Sequence, residues 1–184
     1  MNELLRITEP VPLVVRVDSA GVGRRSWDQL IVSVNDDRPG AVAVARRRDL
    51  FLLVQHPRPV VGAAQWEFPR GFGATAAESA SPEDPVATAR RELLEETGHE
   101  ARTARAIGSF WPDTGLLTTR VVVVLLEVAE DAAARAASDT DEVTGTRWSS
   151  AVEIDRMVAA GTVRDGMTLA AWALVGARAW ATEE

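Results

Sequence analysis

The stretch Arg90-Arg91-Glu92-Leu93-Leu94-Glu95-Glu96-Thr97-Gly98 constrains this chain more than any other. At about 100° per residue, a helix through it gathers Glu92, Glu95 and Glu96 into roughly a third of its circumference. Val86, Ala89, Leu93 and Thr97 gather beside them, so one face carries acid and the adjacent one can join a core. Carboxylates at i, i+3 and i+4 repel one another. Clustering them in a folded protein therefore needs a compensating positive charge, and Mg²⁺ suits that role because hard divalent cations take oxygen ligands and retain several waters. For a Glu-x-x-Glu-Glu taken alone, a helix whose acids simply face water is the plainer alternative.

The flanks argue against that alternative. Arg91-Glu92-Leu93-x-Glu95-Glu96-x-Gly98 follows Glu83 with seven residues between Glu83 and Arg91, and the glycine loop Pro69-Arg70-Gly71-Phe72-Gly73 lies upstream. Together these resemble the signature box of the Nudix hydrolases. One departure is plain: eleven residues separate Gly71 from Glu83, about six more than the family box carries. Glu78 is a rival for the box glutamate, but only Glu83 keeps the family's gap to Arg91. His99, where the family has an apolar residue, reads as a C-terminal cap or loop residue rather than a ligand.

The 184 residues, 46% of them hydrophobic, suit one domain spanning 1–184. With no cysteine there is neither a disulfide framework nor a thiolate zinc site, which fits a reducing cytoplasm. The N-terminus has no basic region followed by a long apolar run, and nothing approaches the roughly 20 apolar residues of a membrane span. The expectation is a cytoplasmic protein without a membrane partner. A net charge of −7 disfavours nucleic acid as a partner. The dense basic run Arg46-Arg47-Arg48 precedes Asp49 and reads as a solvated turn.

Strands are expected over Pro12 to Asp18 and Asp28 to Asn35, then Gly40 to Ala45 and Leu50 to Gln55 across the arginine turn. His56 to Ala64 reads as a loop, with His56 beside the site rather than in the chemistry. Gln65 to Phe68 is a short strand that delivers the glycine loop. The signature helix starts with Ser81 or Asp84 as N-cap and ends at Gly98. Strands follow over Ala104 to Phe110, Arg120 to Val128 and Val143 to Trp148, with helices over Ser150 to Ala160 and Gly166 to Thr182. The Ala-rich Glu130 to Asp141 stretch fits a loop or a weak helix. The whole predicts an α+β chain with a mixed β-sheet between helical layers, in agreement with the α/β/α sandwich that the Nudix resemblance implies.

Within that family, Gln55 with Arg58, then Trp66 to Gly71, then Trp111 to Gly115, are similar to segments of the ADP-ribose pyrophosphatase branch. The resemblance implies Mg²⁺-dependent, or with substitution Mn²⁺-dependent, hydrolysis of the diphosphate bond in a nucleoside diphosphate derivative such as ADP-ribose or a nucleotide sugar. The metal ligands are then Glu92, Glu95 and Glu96 with the main-chain carbonyl of Arg70. Glu83 and Arg91 orient the loop against the helix. Arg58, Glu67, Trp111 and Asp113 contact substrate. Trp27, Trp66, Phe110 and Trp111 are candidates for stacking on a base, whereas Trp172 and Trp180 read as packing. A catalytic base is expected from Asp139, Asp141 or Glu142, with Glu142 favoured because it adjoins a strand. The branch also implies a homodimer paired through a strand extension over residues 1–36. Two alternatives remain, a nucleoside triphosphate pyrophosphohydrolase and a non-catalytic nucleotide sensor on the same scaffold.

Overall fold

The computed structural model describes residues 2–22, 24–130, 134–137 and 142–180. Strands β1 (Asn2–Ile7), β2 (Leu13–Val22) and β3 (Arg25–Val34) form a three-stranded antiparallel sheet of their own. A second sheet holds β4 (Gly40–Arg47), β5 (Leu50–Arg58), β6 (Ala63–Glu67), β7 (Arg70–Phe72), β8 (Ala101–Phe110), β9 (Val121–Val128) and β10 (Gly145–Ser150). Its main path runs β10-β5-β4-β9-β8, with β6 on β5 and β7 on β4. The β4–β9 ladder is parallel and the others are antiparallel, so the sheet is mixed, as expected. Helices α1 (Pro85–Thr97), α2 (Ala151–Ala159) and α3 (Gly166–Trp180) complete the described elements.

Strand β9 is a near-continuous Val/Leu run because apolar layers cover both faces of the sheet. Its residues alternate: Val122, Val124 and Leu126 pack with Ala89 and Leu93 of α1 on one face, and Val123 packs with Ile154, Met157 and Ala171 of α2 and α3 on the other. Trp172 fills the second layer, its ring edge-on to Phe51 at 5.0 Å, in the packing role expected of it. This is the helix, sheet, helix sandwich. Trp180's side chain lies outside the described residues.

The hairpin β4–β5 pairs only beside its turn, at Arg46 with Phe51 and Arg47 with Leu50. Beyond that point the strands splay. Strand β6 takes up the free edge of β5 from Val54 to Arg58, and β7 takes that of β4 from Gly40 to Val42. The link between them enters the wedge, where the carbonyl of Pro69 accepts from the Ala43 amide at 2.8 Å. The glycine loop is thereby set at the middle of the sheet. Of the turn arginines, Arg46 pairs with Glu127 at 2.7 Å, Arg48 with Glu130, and Arg47 lies over the Trp148 ring.

Helix α1 is punctuated as the sequence implies, and Asp84 rather than Ser81 is its N-cap, accepting from the Val86 amide at 3.1 Å. Gly98 closes it in the left-handed region at φ 70°, which an L side chain resists. His99 is therefore not the cap; it packs edge-on against Trp148.

Two further expectations need correction. Asn2–Ile7 is a strand, unforeseen because all six of its residues are exposed and none imprints a buried face on the sequence. His56 to Ala64 is not a loop: β5 continues to Arg58, one 3₁₀ turn spans Pro59–Val61, and β6 begins at Ala63. Pro57 suggests a break, yet a residue at the end of a strand tolerates the lost amide donor.

The insertion after the glycine loop has an organiser that the sequence did not reveal. The Arg38 guanidinium donates to the carbonyls of Ala74, Thr75, Ser79 and Ser81 at 2.8 to 3.3 Å. Within the insertion Glu78 accepts from the amide and hydroxyl of Thr75, which occupies its carboxylate away from Arg91. Replacing Arg38 with alanine should cost about 1–3 kcal/mol in urea unfolding and expose the 74–83 segment to limited proteolysis; unchanged stability and cleavage would show that the insertion holds itself.

Candidate active site

The site forms where β7 lies against α1. A Cβ on Gly71 would run into the carboxylate of Glu92, and one on Gly73 would sit 2.9 Å from the Glu83 side chain and 3.0 Å from the Thr88 hydroxyl. Only residues without a side chain allow this approach. Arg91 then fastens the two elements. One guanidinium nitrogen donates to the Phe72 carbonyl at 2.7 Å and pairs with Glu92 at 2.8 Å, while the other donates to Glu95 at 2.7 Å. Glu83 stands 3.8 Å from the same guanidinium and accepts from Thr88 at 3.0 Å. Thus Arg91 and Glu83 flank the loop and helix, with the Phe72 carbonyl as the principal tie between loop and helix.

The three helix glutamates differ in environment. Glu95 is half exposed, Glu92 is partly covered by β7, and Glu96 is buried at 4% exposure. The acidic face is therefore not uniformly exposed. Burial pushes the Glu92 carboxyl up to about 7, and the charges of Glu96 and Glu95 push the same way against Arg91. Glu96 lies 3.2 Å from Nε2 of His56 and also accepts, at 3.4 Å, from the Arg70 amide. Burial would lower the His56 pKa, but the facing carboxylate of Glu96 outweighs it and the net direction is up.

Among the described residues, no three His, Asp or Glu side chains converge on one point. Arg91 draws Glu92 and Glu95 aside and His56 draws Glu96. The donor chemistry nonetheless fits a hard divalent cation: three carboxylates on one helix, one of them with its pKa raised to about 7 by burial and by its two acidic neighbours despite Arg91, beside the main chain of β7. A cavity of about 640 Å³ opens over this surface, lined by Arg70, Gly71, Glu83, Arg91, Glu92 and Glu142 among others. Asp139 and Asp141, the other acids considered as base, lie outside the described residues.

A second group sits on the far side of Arg70. Glu67, almost fully buried, accepts from Arg58 at 2.9 and 2.6 Å and from Arg70 at 3.1 and 2.9 Å; Arg70 also reaches Asp165 at 3.2 Å. Burial alone would raise the Glu67 pKa, but the two guanidinium groups hold it below the usual carboxylate value. Arg58, Glu67 and Arg70 line a cavity of about 470 Å³ with Arg164 and Asp165. Trp111 and Asp113 line neither cavity. Their loop joins the first sheet, where the Val32 amide donates to the Leu116 carbonyl and the Val32 carbonyl accepts from the Thr118 amide; within the loop Trp111 donates to the Thr118 carbonyl and Asp113 caps the Gly115 amide. Of the stacking candidates, Trp27 is exposed on that sheet, while Trp66 and Phe110 pack against the core.

Sequence reasoning undervalued His56. The missing signal was parity: strand residues two apart share a face, and His56 shares one with Leu52, which packs in the α1 layer.

The model of the Nudix domain matches residues 36–169. The chain belongs to the Nudix hydrolase family. Members of this family generally use divalent metal ions, in keeping with the donor set on α1. Two relatives locate the chain further. It is 28% identical over 141 residues to the CMP-5'-(N-acetyl-N-hydroxy-3-aminopropyl)phosphonate hydrolase of Streptomyces rubellomurinus, over 75% of this chain and 65% of the relative. It is 32% identical over 111 residues to an ADP-sugar pyrophosphatase of Mus musculus, over 55% of this chain and 48% of that protein. The chain thus spans between about half and two thirds of the length of these relatives. The second agrees with the ADP-ribose pyrophosphatase-like branch of the family. No described helix is long and apolar enough to cross a membrane.

The position of Glu92 predicts a pH dependence. Its carboxyl titrates higher in the folded Nudix domain than in the unfolded chain, so its contribution to stability is complete below the unfolded value near 4.5 and is lost as the pH rises through about 7. In chelator-treated protein, Glu92→Gln should raise Tm at pH 8 relative to the parent and leave it nearly unchanged at pH 5. An equal effect at both values would contradict the assignment.

Proposed function

We propose that this chain is a divalent-metal-dependent hydrolase that cleaves the diphosphate bond of a nucleoside diphosphate derivative, with ADP-ribose or a nucleotide sugar as substrate. The observation that carries the reading is the partly buried, undercompensated Glu92 beside Glu95 and Glu96 on the wall of the larger cavity. Glu92, Glu95, Glu96 and the Arg70 carbonyl would hold Mg²⁺, or Mn²⁺ in its place. Such ions neutralise the bridging phosphates and make a bound water acidic enough to attack at neutral pH.

The chain's own residues do the rest. Arg91 keeps the glycine strand seated on α1 through Phe72, and Glu83 steadies the start of the helix through Thr88. Glu142, at the cavity rim, is the general base that takes a proton from the attacking water. Water adds to one phosphorus, the bridging bond breaks and the second phosphate departs with the bridging oxygen. Arg58 offers positive charge to the departing half in the smaller cavity, and Glu67 acts there by fixing Arg58 and Arg70. The exposed apolar residues Leu4, Leu5, Ile7, Trp27 and Leu30 of the first sheet support a homodimer paired through residues 1–36, in which Trp111 and Asp113 would meet substrate bound to the partner copy. A cytoplasmic location fits this role. The Streptomyces relative supports a second substrate set, CMP-linked phosphonates, which share the nucleoside monophosphate half.

A panel of ADP-ribose, nucleotide sugars, a CMP-linked phosphonate and nucleoside triphosphates, followed by ³¹P NMR with Mg²⁺ or Mn²⁺, tests the reading. Two monophosphate products from ADP-ribose or a nucleotide sugar are expected; turnover confined to triphosphates would favour a nucleotide-pool enzyme, and none at all a ligand sensor. Glu95→Gln should retain the fold and lose about a hundredfold in kcat, ~3 kcal/mol of barrier. Glu142→Gln should lose about tenfold or more, ~1.4 kcal/mol, and a smaller loss would place the base elsewhere.

A further inference from the structure

The buried imidazole of His56 stands between two parts of the site that no other described side chain joins. It lies on β5 at 3% exposure, on the α1 face of the sheet. Its Nδ1 is 3.0 Å from the main-chain carbonyl of Glu142, and its Nε2 is 3.2 Å from a carboxylate oxygen of Glu96. A carbonyl can only accept, so Nδ1 donates in the first contact. In the second, one proton between ring nitrogen and carboxylate makes the bond whichever group carries it. Two residues beyond Glu142, the amide and hydroxyl of Thr144 donate to the carbonyl of Gln55, the neighbour of His56 on the same strand. The chain entering β10 is therefore tied to β5 at successive points, and the His56 tie continues to Glu96 on α1.

We propose that His56 is a positioning residue, which fastens the main chain at Glu142 to Glu96 on α1 and so holds the Glu142 side chain at the rim of the larger cavity. The catalytic consequence rests on the assignment of Glu142 above; the tether does not. A base must stay within hydrogen-bond reach of the water it activates, and Glu142 is exposed on a turn, held among the described residues by this carbonyl contact. Burial of His56 makes the tether rigid, since an imidazole packed in a sheet layer has one orientation available to it.

Two substitutions separate the two ends of the bridge. The amide nitrogen of asparagine falls near the place of Nδ1, and that of glutamine near the place of Nε2. His56→Asn can keep the Glu142 contact, whereas His56→Gln keeps the Glu96 contact and gives up the one to Glu142. Hydrogen exchange at the Thr144 amide should accelerate about fivefold in His56→Gln and stay near the parent rate in His56→Asn. With the best substrate of the panel, His56→Gln should lower kcat about fivefold with KM little changed, and should cost less than about twofold when added to Glu142→Gln. Unchanged Thr144 protection in His56→Gln, or equal loss of kcat with and without Glu142, would overturn the proposal. If Glu142→Gln alone left kcat intact, the assignment of Glu142 as base would fall, and the exchange rates would still decide whether the tether exists.

Discussion

The structure depends on keeping three negative groups together on one helix that is itself pressed against a sheet. Leu93 and Ala89 bind α1 to the apolar layer, and the same seating carries Glu96 indoors and lays Glu92 against the backbone of β7. Hydrophobic burial and electrostatics therefore pull in opposite directions along a single helix. Burying an ionised carboxylate without a partner is costly, and each acid answers differently: Glu95 remains half in solvent with Arg91, Glu96 takes His56, and Glu92 holds its proton up to about neutral pH. Such an arrangement leaves negative charge unsatisfied, and a divalent cation of the kind this family generally uses would supply what Arg91 and His56 together do not.

The surrounding scaffold serves the same end. The splay of β4 from β5 makes room for the link through Pro69, which fixes where the glycine strand crosses α1. Arg38 gathers the longer connection that follows, so that an insertion in the signature box does not disturb the registry of Glu83 with Arg91. Caps at Asp84 and Gly98 set the length of α1 between these fixed points. At its far end the Gly98 carbonyl accepts from the Arg135 amide and His56 reaches Glu142, so Arg135 is tied to the end of the helix and Glu142 to the edge of the cavity.

Much of this was legible because it is written in local periodicity. The helix, its closing glycine and the two-sided strand β9 follow from spacing and residue type, and the choice of Glu83 rather than Glu78 beside Arg91 follows from the resemblance to the Nudix box. What escaped has physical reasons too. Strand β1 buries no side chain, so it leaves no alternation to read. Arg38 acts on four carbonyls more than thirty residues away in sequence, and carbonyls carry no sequence signature. His56 was hidden by Pro57 and Pro59, which imitate a loop although β5 runs on to Arg58. Trp111 and Asp113 were grouped with the site by motif, whereas within one chain their loop belongs to the first sheet.

The central claim is that the acids of α1 form a site for divalent cations, and metal binding without substrate tests it most directly. Titration of chelator-treated protein with Mn²⁺, followed by electron paramagnetic resonance with Mg²⁺ as competitor, should show saturable binding in the parent that Glu92→Gln and Glu95→Gln each weaken by at least about tenfold. Binding of the same strength in both variants, or no saturable binding in the parent, would contradict the account.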